Sequence, residues 1–342
     1  MTSLRRPNST DAAGESAASS VDLSVDVAPG NRRHLRLANP VMIASGTFGY
    51  DGYGRGMPQD GSLARLGAII PKTVTRQPRE GNPEPRWYPA SFREGRAAGE
   101  TTFLNSIGLA NPGIEAALAQ LAPQWARYGT TVVLSLSGES AAQFGEMAAL
   151  AQGAPGFQAL ELNLSCPNIE NGAHFSHDPK LAAAAVAAVR ANSDLPLLVK
   201  LSPNVPDITV IARAVVSAGA DALTLSNTIP AMKIDLGARR PVLGAVTGGL
   251  SGPGLKPVAM ALVYRTVQAV DVPVIGVGGI FTAADALEYL MAGATAVQVG
   301  SATLADPRAS FTILDGIRDY LSTHGIASVR EVVGAAQVKT RK

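Results

Sequence analysis

The sequence predicts an α/β fold, a (β/α)8 barrel of the TIM type with inserted loops at its C-terminal face, and three observations predict it. Eight short, apolar, β-rich runs alternate with alanine-rich segments of helical period, the pattern of a parallel sheet with helical crossovers. The chain has 342 residues, enough for such a barrel, which takes roughly 250. No G-x-G-x-x-G follows the first run, as it would in an open, doubly wound sheet built to hold a dinucleotide.

In chain order the strand runs are 41-VMIAS, 68-AIIPKTV, 131-TVVLSLSG, 159-ALELNLSC, 196-PLLVKLSP, 222-ALTLSNT, 273-PVIGVGGI and 296-AVQVGSAT. Helices are expected between them over 113-GIEAALAQLAPQWARYG, 180-KLAAAAVAAVRAN, 207-DITVIARAVVSAGA and 282-TAADALEYLMAGA, each closing near a glycine or asparagine. Residues 1–20 are polar and low in complexity and are expected to be a disordered tail, with one barrel domain over 21–342. The start has neither the apolar core of a signal peptide nor an amphipathic anchor, and no apolar run is long enough to span a membrane, so a cytoplasmic protein is expected.

Composition removes several classes of function. With 46% hydrophobic and 16% charged residues the chain can bury a large core and is no disordered protein. Its formal net charge of +2 comes without long basic runs, so nucleic acid is not an expected partner. The single cysteine, Cys166, rules out an internal disulfide and any zinc or iron–sulfur site built from several thiolates of this chain. Cys166 is therefore either inert packing or a reagent.

Barrels place their chemistry at the carboxyl ends of the strands. Those ends carry Ser45, Lys72 and Thr73, Ser135, Asn163 to Cys166, Lys200, Ser226 to Thr228, Gly278 and Gly279, and Gly300 and Ser301. Of the seven lysines, only Lys72 and Lys200 fall inside predicted strands, both near carboxyl ends. A lysine set among apolar packing either snorkels to solvent or meets an anion. The glycines after strands seven and eight serve either tight turns or a phosphate held on backbone N–H groups. A phosphate there, a lysine at strand five and polar residues around the mouth describe a cradle for a phosphorylated ring cofactor, for which flavin mononucleotide (FMN) fits best.

These stretches resemble a known family. The segments 42-MIASGTFGY, 105-NSIGLANPG, 159-ALELNLSCPN, 198-LVKLSPN, 226-SNT, 248-GGLSGPGLKP, 276-GVGGI and 299-VGSA are similar, in family order, to the class 1 dihydroorotate dehydrogenases, and most like the type B catalytic subunits. The resemblance implies oxidation of (S)-dihydroorotate to orotate in pyrimidine (UMP) synthesis, with FMN as hydride acceptor and Cys166 as catalytic base. It implies substrate contacts at Lys72, Asn105, Ser106, Ile107, Gly108, Leu109, Asn163, Asn168, Asn227 and Thr228. It implies flavin contacts at Ser45, Lys72, Thr73, Asn163, Lys200, Ser226, Gly252, Gly278, Gly279, Gly300 and Ser301. Ser135 departs from the pattern, since many type B relatives have asparagine beside the flavin.

The chemistry fits that carry-over. Desaturating the ring removes a carbon-bound proton from one carbon and a hydride from its neighbour, so a base must face the flavin across the substrate. A thiolate can serve, and asparagines suit an amide-rich ring because each offers a donor and an acceptor without charge. Asn39, Asn171 and Asn192 lie outside the matched segments and are expected to cap or turn. The polar stretch 168–178 is a candidate lid, and its His174 and His177 lack a third ligand, so no metal site is expected. The nearest rivals, dihydropyrimidine dehydrogenase and the tRNA dihydrouridine synthases, fit less well. The first tends to have histidine where Asn168 stands, and the second needs a basic RNA-binding surface. A non-catalytic phosphate-binding barrel would lack the flavin altogether. The resemblance also implies a homodimer of barrels, joined in a heterotetramer by an electron-transfer subunit carrying FAD and [2Fe–2S], with NAD favoured over fumarate as final acceptor.

Overall fold

The structure, a computed structural model, describes residues 21–51, 56–165 and 175–338. Eight parallel strands close into a barrel: β1 Val41–Ile43, β2 Ala68–Ile69, β3 Thr131–Leu136, β4 Ala159–Asn163, β5 Leu197–Lys200, β6 Ala222–Leu225, β7 Val274–Val277 and β8 Ala296–Val299. Each pairs with its chain neighbours, and the ring shuts where β8 meets β1 through Val297 opposite Val41. All eight coincide with the expected runs. Strands covered on both faces need continuous apolar sequence rather than alternation, and nearly every residue of these strands is buried.

Helices pack outside. The expected ones form at Pro179–Arg190, Ile208–Ser217 and Ala283–Met291. The side chains of Asp178, Asp207 and Thr282 accept N–H bonds at their first turns. Gly219 and Gly293 follow the ends of the last two at φ of 109° and 106°, a conformation that costs glycine little. Asn39 and Asn192 make the expected local bonds, Asn39 to the Val41 N–H and Asn192 to the Ala188 carbonyl, and Asn39 also reaches the distant Arg65 carbonyl. Asn171 lies outside the described residues, as do residues 1–20, the expected tail.

Three departures have physical causes. The segment 113–129 is not one regular helix: Ile114–Ala116 and Ala122–Trp125 are α, with a π stretch at Ala117–Leu121 between them. Pro123 has no N–H to give the preceding turn, and a wider turn accommodates the gap. The regular strand β2 stops at Ile69, so Lys72 lies past it, because Pro71 cannot donate to the ladder. Strand β1 is followed, among the described residues, by only the 3-10 turn Ser62–Arg65, so the strand–helix alternation is incomplete there.

The inserted loops at the C-terminal face fold into an antiparallel sheet of four strands, ordered Ile229–Ala231, Gly248–Ser251, Phe103–Asn105 and Trp87–Tyr88. It joins the insert after β2 to the insert after β6, with Asn105 opposite Gly249. None of its strands has a long apolar run, which is why periodicity misses it. Among the described residues no helix is long and apolar enough to cross a membrane.

Candidate active site

One cavity of about 700 Å³ opens at the carboxyl ends of the strands, beneath the inserted sheet. That volume lies in the range of sites that enclose small molecules and cofactors. The strand ends supply its floor: Ser45 after β1, Lys72 and Thr73 after β2, Ser135 of β3, Asn163 of β4 and Lys200 of β5. Past β6, β7 and β8 come Ser226 to Thr228, Gly278 with Gly279, and Gly300 with Ser301. Asn105 to Leu109 descend from the inserted sheet to form the opposite wall.

The polar groups are tied to one another and to the backbone. A row of hydroxyls runs across three strand ends: Ser45 Oγ lies 2.9 Å from Thr73 Oγ1, which lies 2.9 Å from Ser135 Oγ. Ser45 Oγ also donates to the Pro71 carbonyl at 3.2 Å. Ser135 thus has a partner of its own in the wall. Asn227 Nδ2 donates to Asn163 Oδ1 at 3.1 Å, the same oxygen that accepts the Ser165 N–H at 3.1 Å. Asn227 Oδ1 accepts the Thr228 N–H, and Asn105 Nδ2 donates to the Gly249 carbonyl at 3.2 Å. Pinned amides hold their orientation before a ligand arrives, which lowers the entropic cost of binding one.

Lysine placement separates two roles. Lys200 is only 6% exposed, and no carboxylate among the described residues comes within ion-pair distance of its ammonium. Burial dominates and holds its pKa below the usual lysine range, while the charge of Glu161 offsets part of that shift. Lys72 is half-buried, and its backbone N–H bonds the Gly49 carbonyl at 2.8 Å. A Cβ added at Gly46 would stand 3.7 Å from Lys72 Nζ, so glycine there keeps the space beside the ammonium open.

The glycines of the last two strand ends fit a phosphate cradle. Gly278 and Gly279 take φ of 132° and 69°, and a Cβ on Gly279 would come within 2.7 Å of the Lys256 nitrogen. Tyr289, buried behind them, donates its hydroxyl to the Gly278 carbonyl at 2.7 Å. Ser301 opens the short helix Ser301–Ala305. Backbone N–H groups without side chains in the way, one hydroxyl and a buried lysine are a donor set that suits a phosphorylated ring cofactor.

The structure therefore brings together Lys72, Asn105, Ser106, Ile107, Gly108, Leu109, Asn163, Asn227 and Thr228 with Ser45, Thr73, Lys200, Ser226, Gly278, Gly279, Gly300 and Ser301. Gly252 follows the lining residue Ser251, and its carbonyl accepts the Leu255 N–H of the turn Pro253–Leu255. Cys166 and Asn168 lie outside the described residues, as does His174. His177 is exposed at the rim, and the end of the candidate lid is anchored by Phe175, whose ring meets Phe144 edge-on at 5.6 Å. Sequence reasoning missed Glu161, a fully buried carboxylate that also borders the cavity. In the sequence it is only a lone charge within the apolar strand 159-ALELN. Asn82, whose amide donates to Ser106 Oγ at 2.8 Å, and the aromatic wall of Trp87 and Phe92 were missed as well.

Fold and site together define a (β/α)8-barrel enzyme working on a small molecule at its carboxyl mouth. The chain matches the family described as Dihydroorotate dehydrogenase over residues 30–321, and it belongs to that family. Among its relatives, a protein of Geotalea daltonii is 46% identical over 320 residues, covering 93% of this chain and 99% of the relative. One of Desulforudis audaxviator is 47% identical over 303 residues, covering 88% and 95%. One of Geotalea uraniireducens is 47% identical over 317 residues, covering 92% and 98%. All three are named dihydroorotate dehydrogenase B (NAD(+)), catalytic subunit.

Proposed function

We propose that this chain oxidises (S)-dihydroorotate to orotate with FMN, as the catalytic subunit of an enzyme that finally reduces NAD. The observation that carries the reading is the convergence of Asn105, Asn163, Asn227, Lys72 and Lys200 on one cavity, in a chain of the dihydroorotate dehydrogenase family. FMN would be held by Ser45, Lys72, Thr73, Asn163, Lys200, Ser226, Gly252, Gly278, Gly279, Gly300 and Ser301. When bound, it supplies the acceptor for the hydride that leaves the substrate.

The chain's own residues do the rest. The three asparagines present amide donors and acceptors to the imide and amide edges of the ring, and Asn168 extends that set. The Lys72 ammonium receives the substrate carboxylate. Cys166 takes the proton from the ring carbon beside the one that loses hydride; it follows directly on Ser165, which lines the cavity and is bonded to Asn163. The inserted sheet covers the mouth and limits water around the reacting carbons. Lys200, under low dielectric, stabilises the negative charge that arrives with the electrons.

Anaerobic mixing of the flavin-loaded chain with dihydroorotate tests this directly. The flavin absorbance is expected to bleach and one equivalent of orotate to form. A flavin that stays oxidised under excess dihydroorotate overturns the assignment.

A further inference from the structure

The interior of a (β/α)8 barrel is normally filled by layers of branched apolar side chains, each layer drawn from alternate strands. Here one layer is polar: Glu161 of β4, Thr224 of β6 and Gln298 of β8 are all 0% exposed. Thr224 Oγ1 donates to Glu161 Oε2 at 3.1 Å, and Gln298 Nε2 donates to the same oxygen at 2.6 Å. Two donors converging on one oxygen suit an ionised carboxylate. They are neutral, however, and Glu161 Oε1 and Gln298 Oε1 have no hydrogen-bond partner among the described residues. A buried carboxylate so incompletely satisfied is costly unless an opposite charge offsets it.

That charge stands next door. Strand register sets Lys200 opposite Asn163 on β4 and opposite Thr224 on β6, while Glu161 lies opposite Leu198. Lys200 is therefore one step nearer the mouth than Glu161, just above the polar layer. Among the described residues lining the cavity, Glu161 is the sole carboxylate, and the other ionisable groups are Lys72, Lys200 and His177. The separation is beyond direct ion-pair contact, so the two act through the field of a low-dielectric interior, where such interactions reach further than in water.

We propose that Glu161 is the counter-charge of Lys200, a positioning residue in the barrel floor that keeps the lysine ammonium charged and through it sets how readily a bound flavin accepts electrons. The flavin half rests on the function proposed above; the Glu161–Lys200 coupling does not. Without Glu161, desolvation acts unopposed on the ammonium, and Lys200 sheds its proton at lower pH.

Two arms test this separately. In flavin-free protein, the 15Nζ signal of Lys200, assigned by its loss in Lys200→Ala, is followed through a pH titration. It is expected to stay in the charged form through neutral pH in the wild type and in Glu161→Asp, and to titrate at clearly lower pH in Glu161→Gln. Coincident titrations in wild type and Glu161→Gln, or a neutral Lys200 at pH 7 in the wild type, overturn the proposal. The second outcome needs no variant to fold.

In flavin-loaded protein the sign of the potential change decides. Glu161→Gln in the wild-type background is expected to lower the flavin midpoint potential, because the ammonium is partly lost. The same substitution in a Lys200→Arg background is expected to raise it, since guanidinium keeps its proton and only a negative charge has gone. A rise in both backgrounds would make Glu161 a plain negative charge beneath the ring and refute its action through Lys200. If the protein binds flavin but dihydroorotate fails to reduce it, the proposed function falls while both arms still report on Glu161.

Discussion

Lys72 and Lys200 share a cavity but not a depth, and the difference predicts separable effects. Lys200 is nearly sealed at the end of a strand, whereas Lys72 is half-buried beside the space that Gly46 leaves free. Lys72→Ala should weaken orotate binding, read from the flavin absorbance shift on titration, with little change in the midpoint potential. Lys200→Ala should lower the potential while orotate still binds; an unchanged potential would remove its role. For Cys166→Ser, flavin content should be retained while flavin reduction slows by roughly 10²–10⁴, the usual cost of losing a positioned base, with recovery at high pH. Stopped-flow reduction at neutral pH is the measurement, and a near wild-type rate would refute the base. Most of these groups were legible because each sits at or just past the end of a strand whose apolar run marks it. Glu161 was not, since one charge in an apolar strand looks like any outward-facing residue until the barrel closes around it.

At the scale of elements, the helix Ala283–Met291 links the proposed phosphate cradle to the outer ring. Thr282 and Asp285 form a reciprocal capping box at its start, and Asp285 also accepts a bond from Lys256 Nζ at 2.7 Å. Thr282→Ala should cost about 1 kcal/mol of stability, typical of a lost N-cap, measured by denaturant unfolding. Burial pushes the Asp285 carboxyl up, but hydrogen bonds from Lys256, the Phe281 N–H and Thr282 bring it below the usual carboxylate range. A depressed pKa contributes stability at neutral pH that is lost as pH falls through the folded-state value. Asp285→Asn should therefore destabilise at neutral pH, and its difference from the wild type should shrink on acidification below the carboxylate range; a difference independent of pH would exclude this electrostatic origin. In the cradle itself, Gly278→Ala should release flavin into an ultrafiltrate, because the added Cβ would lie 2.9 Å from that of Ala259 at a φ of 132°. Strands with continuous apolar runs were readable from sequence, and so were helices with polar caps and closing glycines. The inserted sheet was not, because its short strands hold glycines and polar residues whose pairing partners lie far away in the chain.

Taken whole, the chain as proposed can move electrons from substrate to flavin but has no evident means of passing them on. It has one cysteine where an iron–sulfur cluster usually needs four thiolates, and no dinucleotide fingerprint. The purified chain should therefore reduce NAD poorly, and coexpression with its genomic neighbours should give a larger assembly by size exclusion, with FAD, [2Fe–2S] and brisk NAD turnover. Robust NAD turnover by the lone chain would overturn this division of labour. The ring closure between β1 and β8 has a consequence during synthesis. Strand β1 emerges early from the ribosome, but one of its hydrogen-bonding edges has no partner until the residues of β8 have been translated. Throughout elongation the nascent polypeptide thus carries an unsatisfied apolar strand edge, the feature that recruits other chains into aggregates. Truncation by premature stop codons or ribosome stalling before β8 should accordingly yield insoluble, chaperone-bound fragments rather than smaller working barrels.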